Sequence, residues 1–211
     1  MNAVAGSSWR ALAESPLAFV RESALQESFG RPVSAEQLAV LRQAPRFAPR
    51  LERRLIEHYR LRPLNQVPEP DEADFGVLSL PDEQFARLAI LCGAVWHAAT
   101  LSREIRGEVV SQYREMLGAQ AMQLALRLRH LAGAADLLRT PAALLEAIER
   151  DGAACLRAWL ATQPEPLRDW LELRLHFPSA PATVDGRRAE VVRSVAAGLA
   201  SAHDNEAQNH D

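Results

Sequence analysis

The sequence predicts an all-α protein, and three observations carry that prediction. Residues 78 to 133 (LSLPDEQFARLAILCGAVWHAATLSREIRGEVVSQYREMLGAQAMQLALRLRHLAG) read as consecutive buried helices without a row of catalytic polar residues. Elsewhere apolar residues recur at helical spacing, as in Leu51, Leu55 and Tyr59 and in Ala121, Leu124, Ala125, Leu128, Leu131 and Ala132. Helix-start signals precede several of these stretches: Ser34 with Gln37 three residues on, Pro81 before Asp82 and Glu83, and Thr140 before Pro141. At 211 residues the chain is expected to form one compact domain that buries roughly 70% of its unfolded surface. That domain is placed at residues 15–202 and given about seven to nine helices. A loosely ordered segment, 1–14, precedes it, and a disordered polar tail, 203–211, follows.

Taken in order, Ser15-Pro16 and the capping-box spacing at Ser34 mark two early helix starts, and Pro45 and Pro49 rule out one continuous helix there. Residues 50 to 59 form an amphipathic surface helix whose apolar stripe leaves Arg50, Arg53, Arg54 and Glu57 facing elsewhere. Residues 61 to 80 hold Pro63, Pro68 and Pro70 together with Glu69, Asp71, Glu72 and Asp74, and read as a Pro-rich acidic loop. Pro81 then suits a first helical turn, where Asp82 and Glu83 complement the positive end of the dipole. From Leu88 to Trp96 the helix is apolar all round, which places it at the centre.

The next helix is expected from about Leu101 to Leu117, punctuated by Gly118, and another follows from there. Thr140-Pro141 starts a helix with Leu144, Leu145, Ile148, Cys155 and Trp159 on its core side, closed by Pro164 and Pro166. Residues 167–177 fit both periods, and a short helix with an extended exit is the reading adopted. A final helix covers about 187–200, and no internal repeat is evident. Trp96 and Trp159 lie on buried stripes, whereas Trp9 and Trp170 could serve as exposed anchors.

The formal charge of −3 gives no global pull toward nucleic acid or an anionic membrane. All 24 basic residues are Arg and none is Lys, which removes Schiff-base chemistry and a phosphate-loop lysine. Cys92 and Cys155 sit in apolar helical stretches and read as reduced, buried thiols of a cytoplasmic protein. The first nineteen residues lack a basic region followed by an apolar run, so no secretory signal is expected. The longest nearly uncharged run, Leu88 to Leu101, falls short of the ~20 residues a spanning helix needs.

Two isolated cysteines and six scattered histidines show neither CxxC nor HExxH spacing, so no metal is expected. There is no GxSxG elbow, GxGxxG loop or GxxxxGK loop, and neither a catalytic residue nor a cofactor is assigned. His97 on its apolar helix reads as a core or boundary histidine bonded to a neighbour that the sequence does not identify. Glu104, Glu108 and Glu115 among Arg103, Arg106 and Arg114 read as a solvated helix face with local ion pairs. The strongest charge feature is Arg42 to Arg62, with seven arginines against Glu52 and Glu57, followed by the acidic cluster. Arg50, Arg53, Arg54, Asp71, Glu72 and Asp74 are therefore the candidates for docking a protein partner. A nucleic-acid-binding regulator using Arg42 to Arg62 is the alternative, and a helical enzyme using His97 or Glu104 to Glu115 is a third reading.

The order of landmarks adds to this. An early Pro16-Leu-Ala-Phe19 is followed by the acidic Pro-rich stretch, then Leu80, Leu88, Leu91, Gly93, His97, Ile105 and Gly107, and finally Trp159, Leu160, Pro164 and Leu171 to Leu175. Over about residues 15 to 178 this order resembles the SctK family, the YscK-like accessory proteins of bacterial type III secretion systems. The resemblance implies a cytoplasmic, all-helical, non-enzymatic adaptor of the sorting platform. Such an adaptor would link the inner-membrane ring protein SctD, through its cytoplasmic domain, to the pod protein SctQ. It would lie at the inner membrane through those partners alone, with no membrane insertion, nucleic acid or small-molecule substrate. The resemblance brings no catalytic residue and no short binding motif.

Overall fold

The structure, a computed structural model, describes residue 9 and residues 13–135, 140–175 and 183–208. Every regular element among the described residues is helical. The α-helices are α1 (Glu22–Glu27), α2 (Ala35–Gln43), α3 (Ala48–Tyr59), α4 (Glu72–Leu78), α5 (Asp82–Trp96), α6 (Ala98–Arg103), α7 (Gly107–Leu117), α8 (Ala119–Arg127), α9 (Pro141–Ala161), α10 (Glu165–Glu172) and α11 (Gly186–Gln208). Single 3-10 turns occupy Pro16–Phe19, Pro45–Phe47, Leu64–Gln66 and Arg129–Leu131. The chain divides into two compact units, residues 1–75 with 163–179 and residues 76–162 with 180–211. Each unit combines segments far apart in sequence, so composition gives no sign of the division.

In the first unit, α2 begins at the expected capping box: Gln37 N donates to Ser34 Oγ and Ser34 N to Gln37 Oε1, each at 3.2 Å. Pro45 falls in a 3-10 turn and Pro49 in the first turn of α3, the position where a missing N–H costs nothing. Leu38, Leu55, Leu64, Leu167, Trp170 and Leu171 are fully buried, each of the leucines contributing roughly 1.5–3 kcal/mol by leaving water. Trp170 Nε1 donates to Arg62 O at 2.7 Å, so this indole is a core group rather than an exposed anchor. Trp9 is likewise buried, at 8% exposure.

The second unit is organised by α5, α8, α9 and α11. Gly93 on α5 and Gly152 on α9 let two helix backbones meet. A Cβ on Gly93 would lie 2.7 Å from Ile148 C, and one on Gly152 would lie 2.8 Å from Ala89 C. Trp96 closes one end of this unit. Its carbonyl accepts from Gly133 N and Ala134 N, both at 3.0 Å, and Gly133 leaves room for the indole. The Arg188 guanidinium lies 4.8 Å from the Trp96 ring centroid.

Four expectations change. The helix expected over Leu101 to Leu117 is two helices, because Glu104 adopts an extended backbone and its carboxylate takes Arg106 N at 2.9 Å, a local bond that competes with the helix. The acidic loop is partly helical: α4 starts at Glu72, where Glu72 and Asp74 in the first turn favour the positive helix end. The stripe from Ala121 breaks at Leu128, whose backbone leaves helical geometry before the 3-10 turn at Arg129. The tail does not become irregular at 203, since α11 runs to Gln208 through a sequence with no Gly or Pro after Gly198 to stop it. These breaks produce eleven α-helices among the described residues. The expected loose segment lies mostly, and the end of the tail at 209–211 wholly, outside the described residues, as does the exit after Leu175 through residue 182.

Candidate docking surface

Helix α3 carries three of the seven arginines of the basic stretch, and the structure sorts the arginines of the stretch by what their guanidinium groups do. Arg42, on α2, donates to Leu17 O at 2.7 Å. Arg54 donates through Nε to Ser28 O at 3.0 Å and through a terminal nitrogen to Phe29 O at 2.9 Å, while its guanidinium covers the Phe29 ring at 4.6 Å. Arg54 thus satisfies carbonyls where α1 ends, a folding role. Arg46 lies over Phe47 at 4.8 Å. Arg50 and Arg53 are exposed and meet no acceptor among the described residues.

The opposite face of α3 explains why these groups are held in place. Leu51 and Leu55 are buried at 4% and 0% exposure. Tyr59 Oη donates toward Ala24 O at 2.9 Å and lies 3.1 Å from Glu27 Oε2. Burial first, then the Glu27 carboxylate, pushes this phenol up to about 12. The helix closes with Arg60 in the left-handed region at φ 56°, its N–H on Ile56 O.

The acidic candidates separate in the same way. Asp71 and Glu72 are exposed. Asp74 is 2% exposed and accepts from Gln163 Nε2 at 3.0 Å, so its carboxylate serves the interior of the first unit. Of the six residues singled out by charge, Arg50, Arg53, Asp71 and Glu72 keep their side chains at the surface, while the side chains of Arg54 and Asp74 hold the fold.

The groups with possible chemistry sit elsewhere. His97 is 1% exposed and its Nε2 lies 2.8 Å from Asp151 Oδ2, which supplies the neighbour the sequence could not identify. Burial alone would raise Asp151, but hydrogen bonds from Arg150 and His97 outweigh it and hold the carboxyl below its ordinary value. Cys92 and Cys155 are free and buried. Burial drives the first thiol well up and the second up to about 12, so neither is poised as a thiolate. Glu104, hydrogen-bonded by the side chain and backbone of Arg106, is pulled down to about 2. Between them Ile105 stands 91% exposed. A small open cleft is lined by Gln120, Gln123, Leu124, Arg127, Gly198 and Leu199. Among the described residues no His, Cys, Asp and Glu group is arranged to hold a metal, and no helix is long and apolar enough to cross a membrane.

Comparison with known proteins gives matches by sequence over part of the chain. No family model matches the chain, and no solved structure does. The chain is 41% identical over 96 residues to nodulation protein NolU of Rhizobium fredii, and equally to NolU of Sinorhizobium fredii strain NBRC 101917 / NGR234. The matched region is 44% of this chain and 44% of each relative's length. Over that region, the chain is similar to a rhizobial nodulation protein.

Proposed function

We propose that this protein is a non-enzymatic adaptor of a bacterial type III secretion system, joining an SctD-like inner-membrane ring protein to an SctQ-like pod protein at the cytoplasmic face of the membrane. The observation that carries the reading is the NolU similarity, a bacterial relative named for a host-associated process, taken with the SctK-like order of landmarks along the chain. The structure supports it in chemistry. The buried histidine is committed to Asp151, both thiols are kept protonated, and the exposed charges of α3 are left for an outside partner.

Assembly would proceed by mass action through interfaces with polar rims rather than through a reaction. The test is to tag the chain in its own bacterium under secretion-inducing conditions, cross-link gently, and identify what is recovered. Pod and inner-membrane ring proteins together support the adaptor. Recovery of neither, from cells shown to assemble the apparatus, overturns it.

A further inference from the structure

We propose that the outer face of α3 receives an acidic helix of a partner protein, with carboxylates one turn apart meeting Arg50 and Arg53 and a basic side chain meeting Glu57. This deepens the adaptor reading and rests on it for the identity of the partner.

Arg50 and Arg53 are three residues apart on one helix, where like charges repel by a few tenths of a kcal/mol. Glu57 lies four residues beyond Arg53 and seven beyond Arg50 on the same face, at a spacing suited to an internal ion pair. Yet no ion pair to Arg50, Arg53 or Glu57 is formed among the described residues. By contrast, Arg42 and Arg54, a few residues away, are consumed by backbone carbonyls. The stretch therefore holds two kinds of arginine, one that builds the fold and one that folding does not use.

The chemistry of the missing partner follows from the pattern. A guanidinium fork suits carboxylate or phosphate. Glu57 decides between them: a nucleic-acid backbone would lay further phosphates against this carboxylate, on a chain already at −3 overall. A protein face of mixed charge can instead place a cation opposite it. Spacing argues that the carboxylates are carried on a helix. Along α3 the Cα rise puts Arg53 about 4.5 Å beyond Arg50 and Glu57 about 6 Å farther. A helix offers side chains at that same interval, whereas one face of a strand repeats every ~6.6 Å and loses register.

The face is also held ready. Leu51 and Leu55 anchor the inner side, and Tyr59 and Arg54 tie α3 to the α1 segment. Little backbone ordering then opposes binding.

The experiment uses the full chain with the SctQ-like protein and the SctD-like cytoplasmic domain of the same organism as probes, and a mixed-sequence DNA duplex as a third, all at low and physiological salt. The Arg50→Glu/Arg53→Glu variant should retain the helical circular dichroism of the wild type, because both side chains are exposed. It should bind one of the two proteins at least about tenfold more weakly and leave the other unchanged. Glu57→Arg should also weaken that same partner, a result that simple attraction to any anion would reverse. Wild-type binding to both proteins that is indifferent to these substitutions overturns the inference and leaves the adaptor standing. Tight DNA binding lost in the double variant overturns it in favour of nucleic acid. Failure of the wild type to bind either protein overturns the adaptor reading and this inference together.

Discussion

Gly152→Ala offers the sharpest check on how the second unit is built. In a helix interior alanine is favoured over glycine by about 1 kcal/mol, so propensity alone makes this substitution stabilising. The new methyl, however, would sit inside van der Waals contact with Ala89 O, 2.8 Å from Ala89 C and 3.0 Å from Gly93 N, all of them backbone atoms that no side-chain rotation can move. Carbon atoms ordinarily rest about 3.5–4.0 Å apart, so α5 and α9 must part by about 1 Å. A gap of that size forfeits a quarter to a half of the dispersion energy across the seam, which for its few buried side chains is about 3–4 kcal/mol. The net expectation is a loss of about 2–3 kcal/mol. With a urea slope near 2 kcal/mol per M, the midpoint falls by about 1–1.5 M.

Gly76→Ala is the matched control. It lies within α4 and a Cβ there meets nothing within 4 Å, so its midpoint should hold or rise. If Gly152→Ala unfolds at or above the wild-type midpoint, the close backbone crossing is not what holds α5 against α9.

Two further predictions concern titrating groups. Tyr59 has its folded value raised to about 12, so its contribution is fully present below the unfolded value near 10 and lost as pH climbs from there through 12. Tyr59→Phe should cost about 1 kcal/mol at neutral pH and flatten that alkaline decline, read from urea midpoints alongside ultraviolet titration of the phenol. Asp151 has the opposite sign. Its folded value lies below the ordinary 3.8, so its stabilisation is present above that value and disappears as pH falls through the depressed one. Asp151→Asn should cost about 1–3 kcal/mol at pH 7 and show a shallower acid limb than the wild type, and superimposable acid limbs would mean the Arg150 and His97 contacts together contribute nothing.

How much of this was legible in the sequence depended on how local the physics was. The Ser34 box, the Thr140-Pro141 start of α9, and the division of Leu51 and Leu55 from Arg50 and Arg53 are decided within one or two turns, and each stands where the sequence puts it. The break at Glu104 was hidden because it depends on one carboxylate choosing Arg106 N over solvent, in a stretch whose apolar pattern favours helix. The partner of His97 lies 54 residues away, and no spacing rule reaches that far. Trp170 could be read as an anchor only because the Arg62 carbonyl that receives its N–H is equally remote in sequence. For the docking candidates, charge pattern found the stretch but could not separate Arg54 from Arg53, since that depends on where the α1 carbonyls end. Asp74 differs from Asp71 and Glu72 for the same reason: its acceptor role is fixed by Gln163, on a distant segment.

An adaptor of this kind must hold two proteins at once, and a solution experiment with three purified components reports whether it does. The protein, an SctQ-like pod protein and the cytoplasmic domain of an SctD-like ring protein from the same organism are mixed, and the mass of each species is measured by light scattering after size exclusion. A species containing all three is expected, and it should disappear when this chain is left out. Two separate binary complexes that never coexist, or no complex with either protein, would contradict it.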